Sequence, residues 1–153
     1  MNEDLMVFTK LRLEELLGFF EGFEDAKVKV SEDGNTILAS VEAEDTARLI
    51  GHRGETLRAL QHVLTALVRR QTAEPVYVNL DIAGYKQAQI ERLAAKAKEY
   101  ADRAIETGKE QFLRPMNPAE RRIIHMTLQA FPEVVTESVG EGRDRRVVIK
   151  PKQ

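Results

Sequence analysis

The stretch that decides the fold is Leu49-Ile50-Gly51-His52-Arg53-Gly54-Glu55-Thr56-Leu57, in which two glycines three positions apart separate an apolar approach from a long amphipathic run. Glycine has no Cβ, so the backbone can turn sharply there and another group can come close. The run after Gly54 predicts a helix, and its first N–H groups favour an anion in the loop. The glycine spacing alone is weak evidence, because it also occurs in ordinary turns.

The residues before the loop predict a helix and a β-hairpin. Residues 5–20 have apolar positions at roughly helical spacing, at Phe8, Leu11, Leu16, Phe19 and Phe20. Apolar residues alternate over 26–30 and again over 37–41, and the turn residues 31–35 lie between these runs. Asp45 is expected to cap a short helix that runs from Thr46 to Ile50 and ends at Gly51.

The helix after the loop has the clearest apolar stripe, which consists of Leu57, Leu60, Val63, Leu64, Leu67 and Val68. Glu74-Pro75 ends the helix, and alternation over 76–82 predicts a third strand. The order is helix, strand, strand, helix, glycine loop, helix, strand. An apolar helix face and a three-stranded sheet can bury each other, which predicts a two-layer α/β domain.

A long helix is predicted from Lys86 to about Thr107, with a narrow stripe of Ile90, Leu93, Ala94, Ala97, Ala101, Ala104 and Ile105. Gly108 can end it. We expect this helix to leave the first domain and to pack into a second one.

The second constellation of residues runs from Arg114 to His125. Asn117 is a good N-cap, Pro118 suits the first helical position, and Glu120 can close a capping box. Arg121 and His125 are four residues apart and therefore share a helix face, and Arg122 starts the neighbouring face. The predicted core side contains Ile123, Ile124, Leu128 and Phe131.

Two further strands are predicted at 134–139 and 146–150, around Gly140-Glu141-Gly142. On the last strand, Val147 and Ile149 should face one way, and Arg146, Val148 and Lys150 the other. If this hairpin packs beside the helix that starts at Pro118, the arginines of both elements form one basic surface.

The composition fits a soluble globular protein, with 42% apolar and 31% charged residues. No run of 18 apolar residues, no cysteine and no basic-then-apolar leader is present, so a cytoplasmic location without membrane insertion is the default expectation. The net charge is −2, but residues 1–50 hold twelve acids against five bases and residues 51–153 hold thirteen acids against eighteen bases. The basic excess therefore begins at the glycine loop.

The first element order, with Ile50-Gly51-His52-Arg53-Gly54 in its loop, resembles a KH domain of the bacterial type over about residues 5–83. Residues 110–151 resemble the small domain named for its Arg-xxx-His (R-three-H) motif, with matching positions at Arg121, His125, Ser138, Gly140, Gly142, Arg146 and 147–151. The two domains in this order resemble the Jag (SpoIIIJ-associated) family of bacterial RNA-binding proteins. Many members carry a further N-terminal domain, which we expect this chain to lack.

The resemblance implies an α+β fold with three parts. A type II KH-like domain (α-β-β-α-α-β) is expected at 1–84, a connecting helix at 85–109, and the small α/β R-three-H domain at 110–153. It also implies a protein that holds single-stranded RNA and regulates cell division, elongation or envelope functions after transcription. A second small KH protein or self-association is the expected protein partner.

The predicted RNA-binding residues belong to the loop with its helix and to the second basic site. They are Gly51, His52, Arg53, Gly54, Arg58, Arg114, Arg121, Arg122, His125 and Arg146. Only three Tyr and six Phe are present, so base stacking is expected to contribute little.

Three alternatives stay open at this stage. The chain could bind single-stranded DNA, or it could be a protein-interaction adaptor that dimerises through its KH domain. An enzyme is disfavoured, because His52, His62 and His125 form no convincing triad or metal cluster. No cofactor and no metal ion are expected.

Overall fold

The computed structural model describes residues 3–153, which fold into two units that divide between Lys86 and Gln87. The elements of the first unit are α1 (Glu3–Leu17), β1 (Lys27–Asp33), β2 (Thr36–Glu42), α2 (Ala47–Ile50), α3 (Glu55–Arg69) and β3 (Tyr77–Ile82). Those that follow are α4 (Tyr85–Thr107), β4 (Gln111–Phe112), α5 (Pro118–Leu128), β5 (Val134–Val139) and β6 (Arg146–Pro151). The predicted α+β class and element order are confirmed, and the domain limits at 84 and 109 remain a proposal. Met1 and Asn2 lie outside the described residues.

The first unit has a three-stranded sheet in the order β1-β2-β3. β1 and β2 form the predicted hairpin around Gly34-Asn35, and β3 pairs with β2 in the parallel sense. Along β2 the side chains of Ile37, Ala39 and Val41 are buried, while their neighbours are more exposed. This alternation directs one sheet face into a core that α1 and α3 complete.

The buried stripe of α1 differs from the predicted one. It consists of residues four apart, Leu5, Thr9, Leu13 and Leu17. The Thr9 hydroxyl can be buried without penalty because it donates a hydrogen bond to the Leu5 carbonyl oxygen at 2.7 Å. The helix ends at Leu17, so Phe19 lies beyond it and is 84% exposed. Leu11 lies on the helix but is 51% exposed, so neither Leu11 nor Phe19 belongs to the buried face.

The long helix α3 buries Leu57, Leu60, Leu64 and Val68, as the stripe predicted, but leaves Val63 exposed at its margin. The predicted cap of α2 is also corrected. Thr46 holds the N-cap position without a side-chain hydrogen bond, and Asp45 adopts a left-handed conformation with φ of 50°.

The second unit has an antiparallel sheet in the order β4-β6-β5. Its core contains Leu93, Ala97, Ala101 and Ala104 of α4, together with residues of α5, β5 and β6. The buried positions along α4 are mostly alanines, and Ile90 and Ile105 of the predicted stripe are exposed. Gly108 follows the helix with φ of 66°, and its N–H donates to the Ala104 carbonyl.

The start of α5 shows the predicted capping box. The Glu120 N–H donates to Asn117 Oδ1 at 2.9 Å, and the Asn117 N–H donates to Glu120 Oε2 at 3.0 Å. Gln89 Nε2 of α4 donates to the other carboxylate oxygen of Glu120 at 3.0 Å. The buried carboxylate is thus satisfied, and it fixes the first turn from which Arg121 projects.

Candidate nucleic-acid interface

The glycine loop is a tight turn between α2 and α3. The Gly51 N–H ends α2 by donating to the Ala47 carbonyl at 2.8 Å, and a single 3₁₀ turn then covers His52 to Gly54. Both Arg53 (φ 52°) and Gly54 (φ 78°) adopt left-handed conformations. Two successive left-handed residues reverse the chain and aim α3 back across the sheet.

Each glycine of the loop is required for a different contact. A Cβ at Gly51 would overlap with the side chain of Thr56 and come within 2.9 Å of its backbone nitrogen. A Cβ at Gly54 would come within 2.9 Å of the Tyr85 ring. Both positions also have φ above 70°, which side chains rarely adopt. The loop therefore needs glycine for conformation and for close packing.

The amides of the two loop glycines are both engaged within the turn. The Gly51 N–H is bonded to Ala47, and the Gly54 N–H donates to the Gly51 carbonyl at 3.3 Å. These two amides therefore hold the turn together instead of facing a phosphate. The two glycines thus determine the backbone shape of the turn.

The basic side chains at the loop are His52, Arg53 and Arg58. His52 is exposed, Arg53 is half-buried, and Arg58 is exposed on the first turn of α3. Arg58 Nη1 donates to the Arg53 carbonyl oxygen at 3.0 Å, which brings its guanidinium onto the loop. The Arg58 guanidinium thus lies against the turn that carries His52 and Arg53, and guanidinium forms strong charge-assisted bonds to phosphate oxygens.

A polar cluster ties α3 to the open edge of β3. Gln61 Oε1 accepts from the Leu80 N–H at 3.0 Å and from Lys86 Nζ at 2.7 Å, and Lys86 also donates to Asn79 Oδ1 at 2.6 Å. Burial lowers the pKa of Lys86, and the negative charge of Asp81 offsets part of this effect. The cluster fixes the helix that carries Arg58, and no pattern in the sequence pointed to this role for the lysine.

In the second unit, His125 is half-buried between α5 and β5. Its Nδ1 lies 2.6 Å from Thr136 Oγ1, and its Nε2 lies 2.9 Å from Ser138 Oγ. Both ring nitrogens are thus used inside the unit. These contacts orient His125, and with it α5, on the sheet. Thr136 and Ser138 were not identified from the sequence as contacts of His125. Period-two alternation along β5, which places both on the same sheet face, is the signal that could have identified them.

Arg121 is half-buried and Arg122 is exposed, both in the first turns of α5. Arg121 lies close enough to His125 for its charge to lower the pKa of the imidazole, in addition to the larger effect of burial. The structure therefore brings Arg121 and His125 together, as the helical spacing predicted, and Arg122 is exposed beside them in sequence.

Arg146 lies on the opposite side of the second sheet. Thr136 and Ser138, which contact His125, pair with Ile149 and Val147, whereas Arg146 pairs with Val139. Directly paired residues share a sheet face and successive residues alternate, so Arg146 faces away from α5. Its Nε donates to the Asp144 carbonyl at 3.3 Å. Arg114 is exposed before α5. The expected single basic surface is therefore divided by the sheet.

Stability should depend on pH through His125. Its pKa in the folded chain is below the ordinary 6.5, so below that pH the unfolded chain binds a proton that the folded chain does not. Stability is then lost as the pH falls through 6.5 towards the folded pKa. Between about pH 7.5 and about pH 5.5, the free energy of unfolding in urea should fall further for the wild type than for His125→Gln. His62→Gln, at an exposed position, is the control and should keep the wild-type response, and an equal fall in all three would contradict this assignment.

Two family models match the chain, one in each unit. The KH domain of the KhpA and KhpB proteins matches residues 13–80, and the R-three-H domain matches residues 88–151. The second match includes α4, which the sequence pattern predicted to be a connection.

Curated relatives are similar over most of the chain. An RNA-binding protein KhpB of Clostridium symbiosum is 36% identical over 129 residues, which are 84% of this chain and 58% of that protein. RNA-binding protein KhpB of Bacillus subtilis is 34% identical over 146 residues, which are 94% of this chain and 69% of that protein. RNA-binding protein KhpB of Streptococcus pneumoniae is 28% identical over 127 residues, and the match spans 39% of its length.

Two further observations bear on the kind of site. Residues 3–153 contain no group of three or more His, Asp or Glu side chains placed to hold a metal ion. Among the helices of the same residues, none has the length and apolar character needed to cross a membrane.

Proposed function

The chain belongs to the KhpB family of RNA-binding proteins, as its two motifs predicted, and on that premise we propose that it holds single-stranded RNA at the glycine loop and at Arg121. The observation that carries the proposal is the hydrogen bond from Arg58 to the Arg53 carbonyl, which holds the Arg58 guanidinium against the turn that also carries His52 and Arg53. A phosphate of the strand can bind there without rearrangement of the backbone.

Single-stranded RNA suits this geometry better than a duplex. A KH loop clamps about four nucleotides whose bases are splayed apart. The positive groups of the loop are few, so each contact site should bind modestly. The second site at Arg121 and Arg122 adds affinity if one strand reaches both units, because the second contact is then intramolecular.

KH and R-three-H domains are binding domains, and the chain is a binding protein and not an enzyme. We further propose a cytoplasmic location, and a second small KH protein as partner, because the matched KH family includes KhpA. Self-association is the alternative assembly. Control of cell division, elongation or envelope functions through bound RNA follows from the family resemblance and is part of the same proposal.

Replacing Arg121 by alanine should weaken binding of a labelled single-stranded oligonucleotide about fivefold and lower the slope of log affinity against log salt by about one unit. The reason is the loss of one phosphate contact with its released counterion. Fluorescence anisotropy titrations of the full chain at several salt concentrations measure both quantities.

Arg92→Ala is the matched control, because Arg92 is an exposed arginine on α4 of the same unit. This variant should keep the wild-type slope. An Arg121→Ala slope equal to that of the wild type would remove Arg121 from the RNA site. Unlabelled single-stranded DNA of the same sequence, added as competitor, tests whether the site distinguishes RNA from DNA.

A further inference from the structure

The second sheet has a face that no helix of its unit covers, which we call the outer face. The core of the unit contains Val147 and Ile149 but not Val148, although Val148 is only 1% exposed. Val148 pairs with Phe112 of β4 on one side and with Glu137 of β5 on the other. Because paired residues share a face, these three side chains form a row across the outer face.

Phe112 is the aromatic member of this row and is 57% exposed. It lies on an edge strand beside a buried valine, so its ring has an apolar base and an accessible surface. Val135, on the opposite edge strand β5, is also exposed. The outer face therefore has a buried valine on its central strand and an exposed apolar side chain on each edge strand.

Basic residues lie at both ends of this apolar centre. Arg146 precedes Val148 by two positions and Lys150 follows it by two, so both project from the same face. Lys150 Nζ lies 2.7 Å from Glu137 Oε2 and 3.7 Å from Glu110 Oε1. Its bond lowers the pKa of Glu137, which keeps that carboxylate ionised and paired. The Arg146 end continues into the turn that carries Arg143 and Arg145.

We propose that the outer face stacks a base of single-stranded nucleic acid on Phe112, with Arg146 at the adjoining phosphate. This inference rests on the proposed function and adds a third contact site to it. A sheet surface that offers an aromatic ring beside cations is a sequence-tolerant platform for bases, since every base has a π-face. Lys150 is paired with both Glu137 and Glu110, so the cation that can meet a phosphate on this face is Arg146 at its other end.

The chain contains no tryptophan, so Phe112→Trp creates a single reporter at the proposed contact. Addition of a single-stranded oligouridine should quench its fluorescence in parallel with the anisotropy change of the same complex. Phe19→Trp is the control, because Phe19 is highly exposed in the first unit and has no part in the proposed site. The fluorescence of the Phe19→Trp chain should not change when oligouridine is added.

Affinity gives the second readout. Phe112→Ala should bind the oligonucleotide about tenfold more weakly, while Phe112→Tyr, which keeps the ring, should bind like the wild type. Circular dichroism of each variant verifies the fold.

Two results overturn the platform while leaving the proposed function standing. One is an unquenched Phe112→Trp chain at RNA concentrations that saturate the anisotropy. The other is a folded Phe112→Ala chain with wild-type affinity, which would assign the face to a protein partner instead. A chain that gives no anisotropy change with RNA would overturn both proposals.

Discussion

Replacing Gly51 by alanine should lower the free energy of unfolding of the first unit by about 3 kcal/mol, which is among the largest effects expected from a single methyl group in this chain. Gly51 has φ of 73° and ψ of −177°, a conformation that residues with a Cβ avoid. The added Cβ would also overlap with Thr56 and crowd its backbone nitrogen. Relief requires moving the first turn of α3, which carries Arg58.

Gly34→Ala separates the two causes. Gly34 also has a positive φ, of 59°, but a Cβ added there would meet no atom within 4 Å. The substitution should cost about 1 kcal/mol, for backbone strain alone. Amide hydrogen exchange of core residues such as Leu64 measures both variants within the full chain. If Gly51→Ala costs no more than Gly34→Ala, the close packing of the loop on α3 is not significant for stability.

Most of the fold could be predicted because its elements carry strong local patterns. The capping box at Asn117 and Glu120 fixed the start of α5, and period-two alternation located β5 and β6 closely. The pattern failed in α1, where the buried position at Thr9 is a hydroxyl. Its polarity is satisfied by the Leu5 carbonyl one turn earlier, and a hydrophobic pattern does not detect that bond.

The candidate site could be predicted only in part, since residue type and spacing do not determine how polar groups are used. The spacing predicted that Arg121 and His125 share a helix face. It could not predict the hydrogen bonds that engage both ring nitrogens of His125. It identified the loop glycines, but not that their amides bond within the turn. The separation of Arg146 from α5 depends on the register between β5 and β6, which requires long-range pairing.

Reversing the charge of the loop should have the largest effect on binding. His52→Asp combined with Arg53→Asp should lower the affinity for single-stranded RNA at least about thirtyfold, which is about 2 kcal/mol or more. The substitution removes a guanidinium and an imidazole and sets two carboxylates against the phosphates. Aspartate tolerates the left-handed conformation at position 53 better than most residues, so the fold should survive.

His62→Asp combined with Arg70→Asp is the matched control. It changes the same residue types, leaves the same net charge, and lies at exposed positions in and just after α3. Exposed charges are screened beyond about 8–10 Å at ordinary salt, so this pair should weaken binding only slightly. A loss as large as that of the loop pair would point to general repulsion and not to a local site.

The most direct measurement is therefore an anisotropy titration of a fluorescent single-stranded oligouridine with three full-length chains at one salt concentration. These are the wild type, the chain with His52→Asp and Arg53→Asp, and the chain with His62→Asp and Arg70→Asp. We predict that the wild type and the α3 control bind alike and that the loop variant loses nearly all affinity while keeping its circular dichroism spectrum. A folded loop variant that binds as tightly as the wild type would contradict the account and favour the protein-interaction adaptor.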